Sequence, residues 1–282
     1  MRLFTLSILL SCLNVFSQGE YQSLFWEISG NGLKDTSYLY GTMHSQDSRI
    51  FQFKDGVEAA FNNSDIYAME LNIDSIDQSK IISALIMKND VSLDKLLSKK
   101  EYSIVEKFYS DSLSMQLFLF NKMQPLYTAQ LLTLKQMGNQ EQDALDIYFF
   151  SLAKQQNKIA LGLETMEEQL SAFSSIPYKL QAKELLNAVE NYSNNDFSNL
   201  MDLYLEENLD EILTLQKGEA NDKLNKIIIK ELLNKRNINL ANRSIPLIEK
   251  ASTFIAIGAA HLPGEDGVIE ILRKKGYTVI AR

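Results

Sequence analysis

The chain contains two histidines, and both occupy the same short motif. His44 and His261 each take the last position of a Gly-x-x-His segment, "GTMH" and "GAAH", and each segment closes an apolar run. Neutral imidazole is a common metal ligand and also the usual general base near pH 7. The two histidines are therefore the first candidates for a chemical role, although a histidine in such a place can also be purely structural.

A carboxylate ends a third apolar run. Glu70 closes "DIYAME", where a charged side chain is costly to bury unless it is paired or bound to a metal. Together with His44 and His261 it forms a two-histidine, one-carboxylate set, which leaves positions on a divalent ion open for water and substrate. Such an ion lowers the pKa of its water toward about 7 and polarises a carbonyl. The set therefore predicts hydrolysis. The sequence does not say which of the three residues bind the ion and which acts as the base. For Glu70, the structural alternative is a carboxylate on the surface at the end of a strand.

The glycines of the two motifs suggest where these side chains lie. Gly41 and Gly258 stand at the ends of predicted strands, where a glycine lets the backbone turn sharply or approach a ligand closely. In sheets flanked by helices, ligands bind beyond the carboxyl ends of the strands. We therefore expect His44 and His261 to meet at one edge of a single sheet.

The elements around the motifs form a weak internal repeat. Each Gly-x-x-His follows a strand and precedes a loop, a short helix that begins with Asp-Gly-Val, and a second strand. Asn31-Gly32 suits a tight turn between the first two strands. The strands are predicted in "SLFWEIS", "SYLYGT", "DIYAMELNI", "NKIALGLE", "TFIAIGA" and "YTVIAR". The predicted fold class is α/β (α+β), with duplicated strand-GxxH-loop-helix-strand units that form a central mixed sheet.

The middle of the chain has a helical pattern. Between residues 75 and about 250, apolar residues recur at spacings of three and four, and no Gly/Ser-rich linker interrupts the chain. We expect a large helical insertion that caps the sheet, and one domain over residues 18–282.

The amino terminus has the pattern of a secretory signal peptide. Arg2, an apolar run and the small residue Ser17 predict cleavage after residue 17, and thus a secreted or periplasmic protein. Lipid attachment at Cys12, the chain's one cysteine, is the less favoured alternative. The net charge of -8, with no basic stripe, argues against nucleic acid as a partner, and no segment of the mature chain predicts a transmembrane span.

Several segments resemble the TraB/GumN family, over essentially the whole mature chain and in the expected order. The matching segments are "LFWEISGNGLKDTSYLYGTMHSQDSRIF", "AMELN", "MQPLYTAQL", "LDIYFFSLAKQQNKIALGLETMEEQL", "KRNINLA" and "IAIGAAHLPGEDGVIEILRKKGYTV". This family is related to the Tiki metalloproteases and, more distantly, to haem-binding ChaN-like proteins and erythromycin esterases. The resemblance implies a duplicated strand-helix fold and, in the Tiki branch, a divalent-metal-dependent peptidase.

The resemblance also assigns family positions to individual residues. Gly41 with His44, Glu70, and Gly258 with His261 match the family's motifs. The implied cofactor is a divalent metal ion such as Mn, Co or Zn, and the implied substrate is a peptide or a small molecule.

Four further residues match family elements. Arg236 and Asn237 match an Arg-Asn element, in which an arginine facing the site could hold a substrate carboxylate or an oxyanion. Without the family, Arg236 on an amphipathic helix is more often a solvated or ion-paired residue. Glu164 is either a second carboxylate near the metal or a cap for the helix that follows. A capping box predicted over residues 165–168 favours the structural role. Asp146 matches a family aspartate without a deducible role.

Two other functions compete with hydrolysis. A metal-free variant would use a histidine to activate water, as in the esterase relatives. The alternative from another class is a non-catalytic haem- or metal-binding protein of the ChaN-like type, with Tyr40 and Tyr67 as axial or nearby groups. A site that has decayed to a structural role is disfavoured, because the expected residue types fill the family positions.

Overall fold

The computed structural model describes residues 20–75, 78–137, 144–193, 196–217 and 223–282. The predicted signal peptide, with Cys12, lies outside these residues and stays a prediction. Within the part of the chain that the structure describes, no helix combines the length and the apolar character needed to cross a membrane.

All six predicted strands are present in one sheet, which confirms the α/β class. The strands are β1 (Phe25–Gly30), β2 (Ser37–Thr42), β3 (Ile66–Leu71), β4 (Ile159–Glu164), β5 (Thr253–Gly258) and β6 (Tyr277–Ala281), in the spatial order β4-β3-β5-β2-β1-β6. Strands β4, β3, β5 and β2 run parallel, whereas β1 is antiparallel to both β2 and β6. The carboxyl ends of the four parallel strands therefore share one edge of the sheet.

The helices divide between the sheet and the insertion. Those next to the sheet strands are α1 (Val57–Asn63), which leads from β2 to β3, and α13 (Val268–Lys274), which leads from β5 to β6. Residues 78–250 contain α2 (Gln78–Leu85), α3 (Leu93–Leu96), α4 (Lys99–Leu113), α5 (Pro125–Met137), α6 (Leu145–Gln155), α7 (Met166–Ser174), α8 (Tyr178–Glu190), α9 (Asp196–Leu205), α10 (Leu209–Lys217), α11 (Lys223–Ile229) and α12 (Lys235–Lys250), with β4 between α6 and α7. The predicted helical insertion is thus observed.

The two predicted repeat units have the same connection but different positions in the sheet. The crossover from β2 through α1 to β3 passes over β5, whereas the crossover from β5 through α13 to β6 passes over β2 and β1. Both connect parallel strands, as a strand-helix-strand unit does. Because β5 lies between β3 and β2, the two units interlock in the centre of the sheet.

Apolar burial follows this division. One hydrophobic cluster packs on the sheet and includes the fully buried Trp26, Phe61, Phe149 and Phe254. A second cluster joins α3, α4, α5 and α8 in the insertion and includes the fully buried Tyr109. These four helices of the insertion therefore have a packed core of their own, separate from the core on the sheet.

The hairpin between β1 and β2 agrees with the predicted turn signal, although its connection is longer than a two-residue turn. The strands pair antiparallel, and the Leu33 amide donates to the Gly30 carbonyl across Asn31 and Gly32. Gly30, Asn31 and Gly32 all have positive φ. That backbone conformation favours Gly and Asn, which explains their place here.

Candidate active site

Chemistry-bearing side chains gather at the shared edge of the parallel strands. Glu70 and Glu164 lie at the ends of β3 and β4, while His44 and His261 follow β2 and β5. A cavity of about 780 Å³ opens above this edge, and its lining includes His44, Glu70, His261 and Arg236. The structure thus brings the predicted set to one cavity, as the topology of the strand ends requires.

His261 is buried, and a neighbouring amide fixes its tautomer. The Asn237 side-chain nitrogen donates to the Asp266 backbone carbonyl at 2.8 Å, so the Asn237 oxygen faces His261 Nδ1, 2.6 Å away. Because an amide oxygen only accepts, Nδ1 carries the proton and Nε2 has a free lone pair. Burial lowers the pKa of His261, which favours this neutral form. The free Nε2 lies 3.7 Å from Glu70 Oε1.

Glu70 is held as an anion. Its Oε1 accepts from the Gly258 amide at 2.6 Å, and its Oε2 accepts from Arg236 Nη2 at 2.8 Å. Burial alone would raise the pKa of Glu70, but the permanent charge of Arg236, the charge of His44 and the Gly258 amide lower it, and a proton on His261 would lower it further. A carboxylate whose pKa is lowered suits a ligand or an electrostatic role better than that of a base at neutral pH.

Arg236 bridges two buried carboxylates. Its Nε contacts both oxygens of Glu164 at 3.0 Å, and its Nη2 reaches Glu164 at 2.7 Å in addition to Glu70. Its Nη1 donates to the Leu232 carbonyl at 3.2 Å. The side chains of Arg236 and Glu164 are 15% and 2% exposed, so these charges compensate each other away from bulk water. In this arrangement the guanidinium orients Glu70.

A local change in helix geometry precedes Arg236. Residues Lys230–Asn234 form a π-helical turn between α11 and α12, where the sequence predicts only helical periodicity. Such turns alter the regular bonding of the backbone, and they occur often at functional sites. Here the Leu232 carbonyl within the turn accepts from the Arg236 side chain.

Glu164 and the helix that follows have separate roles. The predicted capping box is present: the Thr165 hydroxyl accepts from the Glu168 amide, and the Glu168 carboxylate accepts from the Thr165 amide. Glu164 itself contributes no cap; it accepts from Arg236 and, at 3.3 Å, from Gln169. The predicted capping box over residues 165–168 is therefore present. Glu164 lies outside it and is a second carboxylate bound to Arg236, the arginine that also contacts Glu70.

His44 has a different environment from His261. Its side chain is 74% exposed, and its Nδ1 lies 2.7 Å from Asp146 Oδ2. The Thr42 hydroxyl donates to Asp146 Oδ1 at 2.8 Å, so the motif itself orients the aspartate that holds its histidine. Asp146 lies in the first turn of α6, where the helix dipole stabilises an anion. The contact and charge of Asp146 raise the pKa of His44 to about 9.

The motif glycines serve close packing, and the sharp-turn explanation is wrong for both. Neither has a positive φ. A Cβ on Gly258 would lie 3.0 Å from Glu70 Oε1, and a Cβ on Gly41 would lie 3.1 Å from the Leu24 side chain and 3.2 Å from Ala259. Gly258 thus allows Glu70 to reach the backbone amide, and Gly41 allows the two motif loops to pack together.

The donor set fits a divalent ion in two of its predicted ligands. His261 Nε2 and Glu70 Oε1 direct lone pairs into the same space without a proton between them, which a cation would stabilise. His44 Nδ1 lies beside Asp146 Oδ2, so only the Nε2 of this ring could bind an ion. Among the described residues, no group of three His, Cys, Asp or Glu side chains is arranged to hold a metal ion. The prediction of His44 as a third ligand therefore has no direct support in the geometry.

The tyrosines considered for haem lie in the core. Tyr67 is fully buried and Tyr40 is 5% exposed, and both contact Phe149 in an aromatic cluster under the sheet edge. Neither belongs to the cavity lining. Core packing accounts for their place in the apolar strand runs.

Two partners of His44 do not follow from the sequence. The family resemblance marks Asp146 but gives it no role, and nothing in the sequence marks Thr42. The signal for Asp146 is a carboxylate in the first turn of a helix in an otherwise apolar segment. No sequence pattern links it to His44, because 102 positions separate the two residues (146 − 44) and only the fold brings them together.

Comparison with known proteins extends these observations. The model of the TraB/PrgY/gumN family matches residues 24–281. The chain is 22% identical to Metalloprotease TIKI2 of Danio rerio and 23% identical to the Metalloprotease TIKI homolog of Amphimedon queenslandica, over 95% of its own length and 62% of theirs. It is 22% identical to Metalloprotease TIKI1 of Homo sapiens, over 93% of the chain and 62% of that protein.

The chain thus spans about three fifths of the length of these relatives. No solved structure matches it. The family match covers both Gly-x-x-His segments, Glu70 and the helical insertion, so it includes every residue of the cavity edge. This chain belongs to the TraB/PrgY/gumN family.

Proposed function

We propose that the protein is a divalent-metal-dependent hydrolase that cleaves peptide bonds, with Glu70 and His261 as the ion-binding pair and His44 as the proton donor. The names of the relatives as metalloproteases support the reaction class. The observation that carries the proposal is the free Nε2 of His261, fixed by Asn237 and set 3.7 Å from the ionised Glu70.

Each side chain of this set has a definite task. A divalent ion held by His261 and Glu70 would supply the acidified water and the polarised carbonyl that hydrolysis needs. Asn237 keeps the His261 proton on Nδ1, so that Nε2 stays available. Arg236 offsets one of the two negative charges of Glu70 and Glu164 and fixes the Glu70 oxygens in position. Arg236 is thus a positioning residue in this proposal.

His44 completes the reaction. Water adds to the carbonyl carbon, the C–N bond breaks, and the leaving amine needs a proton. The Asp146 partner keeps a proton on the His44 ring at neutral pH, and the exposed ring faces the cavity, so His44 can deliver this proton. The proton released by the attacking water then restores the protonated ring. The buried, neutral His261 could not do this at neutral pH.

The test separates the two histidines. We expect His261→Ala to lose both turnover and bound metal. We expect His44→Ala to keep its metal and to lose about 10²- to 10⁴-fold in kcat, which is the usual contribution of general acid–base catalysis. Peptide cleavage and metal content by elemental analysis are measured on the same purified samples, with added Mn, Co or Zn.

Neither measurement depends on the other. Retention of metal by His261→Ala would refute the ligand assignment, and wild-type turnover by His44→Ala would refute the acid. A haem absorption band in the purified protein, without cleavage of any peptide, would favour the binding protein over the hydrolase.

A further inference from the structure

One segment of the helical insertion has no part in the chemistry described above. The family segment "MQPLYTAQL" begins α5, and a buried polar network fixes it in place. Gln124 donates to Ala84 and Ser174, and Gln181 donates to Gln124 and to two carbonyls at the end of α7. Gln124 and Gln181 are 1% and 0% exposed. Fully satisfied buried networks of this kind hold their neighbours rigidly.

The network presents two aromatic rings to the cavity. Tyr127 stacks on Phe173 of α7, with 4.6 Å between the ring centroids, and both line the cavity. The Tyr127 hydroxyl is buried and has no hydrogen-bond partner among the described residues. Buried tyrosine hydroxyls usually have a partner. The hydroxyl can therefore still donate a hydrogen bond, and because its oxygen is covered, a ligand would reach it only after a small movement of the ring or of its neighbours.

The lining of the cavity contains both charged and apolar side chains. The charged residues of its lining, as far as the structure describes it, are those of the sheet edge and Asp146 beside them. The rest of the described lining is uncharged: it includes the glutamines Gln130, Gln169 and Gln216 and an apolar wall of side chains from the insertion, Met166, Leu170, Phe173, Leu200, Ile212 and Ile229. Such a wall favours an apolar group and penalises a charge, which would lose its water without a counterion.

We propose that this wall is the specificity site of the hydrolase, where it binds a large uncharged aliphatic or aromatic side chain of a peptide next to the cleaved bond. The Tyr127 hydroxyl donates a hydrogen bond to a main-chain carbonyl of the same peptide. This assignment rests on the function proposed above, because the peptide must contact both the apolar wall and the sheet edge. The rigid wall sets the position of the bond relative to the sheet edge.

A matched peptide series tests the assignment. Quenched fluorescent peptides carry Leu, Phe, Ala, Lys or Glu on either side of the cleaved bond. We expect kcat/KM for Leu or Phe to exceed that for Ala by about tenfold or more, and Lys and Glu to be poorer still. Phe173→Leu and Met166→Ala should reduce the preference for Phe over Ala. Tyr127→Phe should raise KM about two- to tenfold, as expected for the loss of one hydrogen bond, without altering metal content.

Surface variants supply the controls. Phe118 is 60% exposed outside the cavity, so Phe118→Leu matches Phe173→Leu in chemistry but should leave the preference intact. Tyr102→Phe on α4 matches Tyr127→Phe, since Tyr102 also lies outside the lining. Unfolding curves for all variants show which of them keep the fold.

Binding separates the failure of this assignment from the failure of the hydrolase. The same peptides, labelled at one end, are titrated into His261→Ala and followed by fluorescence polarisation. Turnover without side-chain preference, or an unchanged preference in Phe173→Leu and Met166→Ala, overturns the assignment and leaves the hydrolase intact. Preferential binding of Leu and Phe peptides, with no turnover by the unmodified protein, supports the wall as a binding site and overturns the hydrolase.

Discussion

The two Gly-x-x-His segments share their spacing and their place after a parallel strand, yet their histidines have opposite properties. His44 is exposed and paired with an acid, while His261 is buried and paired with a neutral amide. The register explains part of the difference, because Thr42 rather than Gly41 is opposite Gly258 in the β2–β5 pairing. A shift of one residue in a sheet exchanges the faces of the side chains. One repeated motif thus gives two protonation states.

The residues between glycine and histidine increase the contrast. In the first motif Thr42 binds Asp146, which holds a charge beside His44. In the second motif the equivalent residue is Ala259, which packs against Gly41 and offers no polar group. The side chain at this motif position therefore adds a polar contact to the environment of His44 that the environment of His261 lacks.

The largest expected effect is a loss of stability when the positive charge of Arg236 is removed. Arg236→Met leaves Glu70 and Glu164 buried without their cation, so the free energy of unfolding should fall by about 3–5 kcal/mol. Arg243 on the same helix is the matched control, because its pair with Glu168 is exposed and Arg243→Met should cost about 1 kcal/mol or less. Urea denaturation at pH 7 measures both. Equal losses would show that Arg236 has no special place in the fold.

An intermediate effect should follow from the loss of the Asn237 side chain, which fixes the tautomer of His261. Asn237→Leu removes the acceptor for the His261 Nδ1 proton, so we expect metal affinity to fall about 10- to 100-fold, as for other residues that orient a ligand. Thr42→Val, the matched change near His44, should leave metal affinity unchanged. Metal affinity is measured by calorimetric titration of both variants. An unaltered affinity in Asn237→Leu would show that Asn237 does not orient His261 for metal binding.

The smallest expected effect is a shift of the pKa of His44 in Asp146→Asn. With two histidines in the chain, imidazole NMR signals resolve both rings, and we expect His44 to titrate near pH 9 and His261 below pH 6.5. Asp146→Asn should lower the first value toward 6.5 and leave the second unchanged. Because the folded pKa of His44 lies above its unfolded value, its stabilising contribution is complete below pH 6.5. It is lost as the pH rises through 9.

The activity profile supplies an independent readout of the same pair. The alkaline limb of kcat should follow the His44 titration and move to lower pH in Asp146→Asn. An alkaline limb that stays in place in this variant would remove His44 from the role of proton donor.

The strands were predictable because each is a short apolar run between turn residues, and the strand-end placement of Glu70 and the two histidines followed from the parallel topology. The partners were not predictable. The amide of Asn237 and the carboxylate of Asp146 reach their histidines through the packing of α12 and α6, which depends on the whole core. The π-helical turn before Arg236 contains no Gly or Pro that would indicate it in the sequence. The helices that line the cavity have the sequence pattern of ordinary amphipathic helices, so the pattern does not distinguish them.

The position of β5 between β2 and β3 has a consequence for biosynthesis. During translation the amino-terminal strands leave the ribosome long before β5 does, and they cannot close the sheet without it. An unfinished chain would present two open strand edges, which invite aggregation, and would lack one imidazole of the pair. The edge of the sheet that lines the cavity therefore cannot form before β5 has left the ribosome.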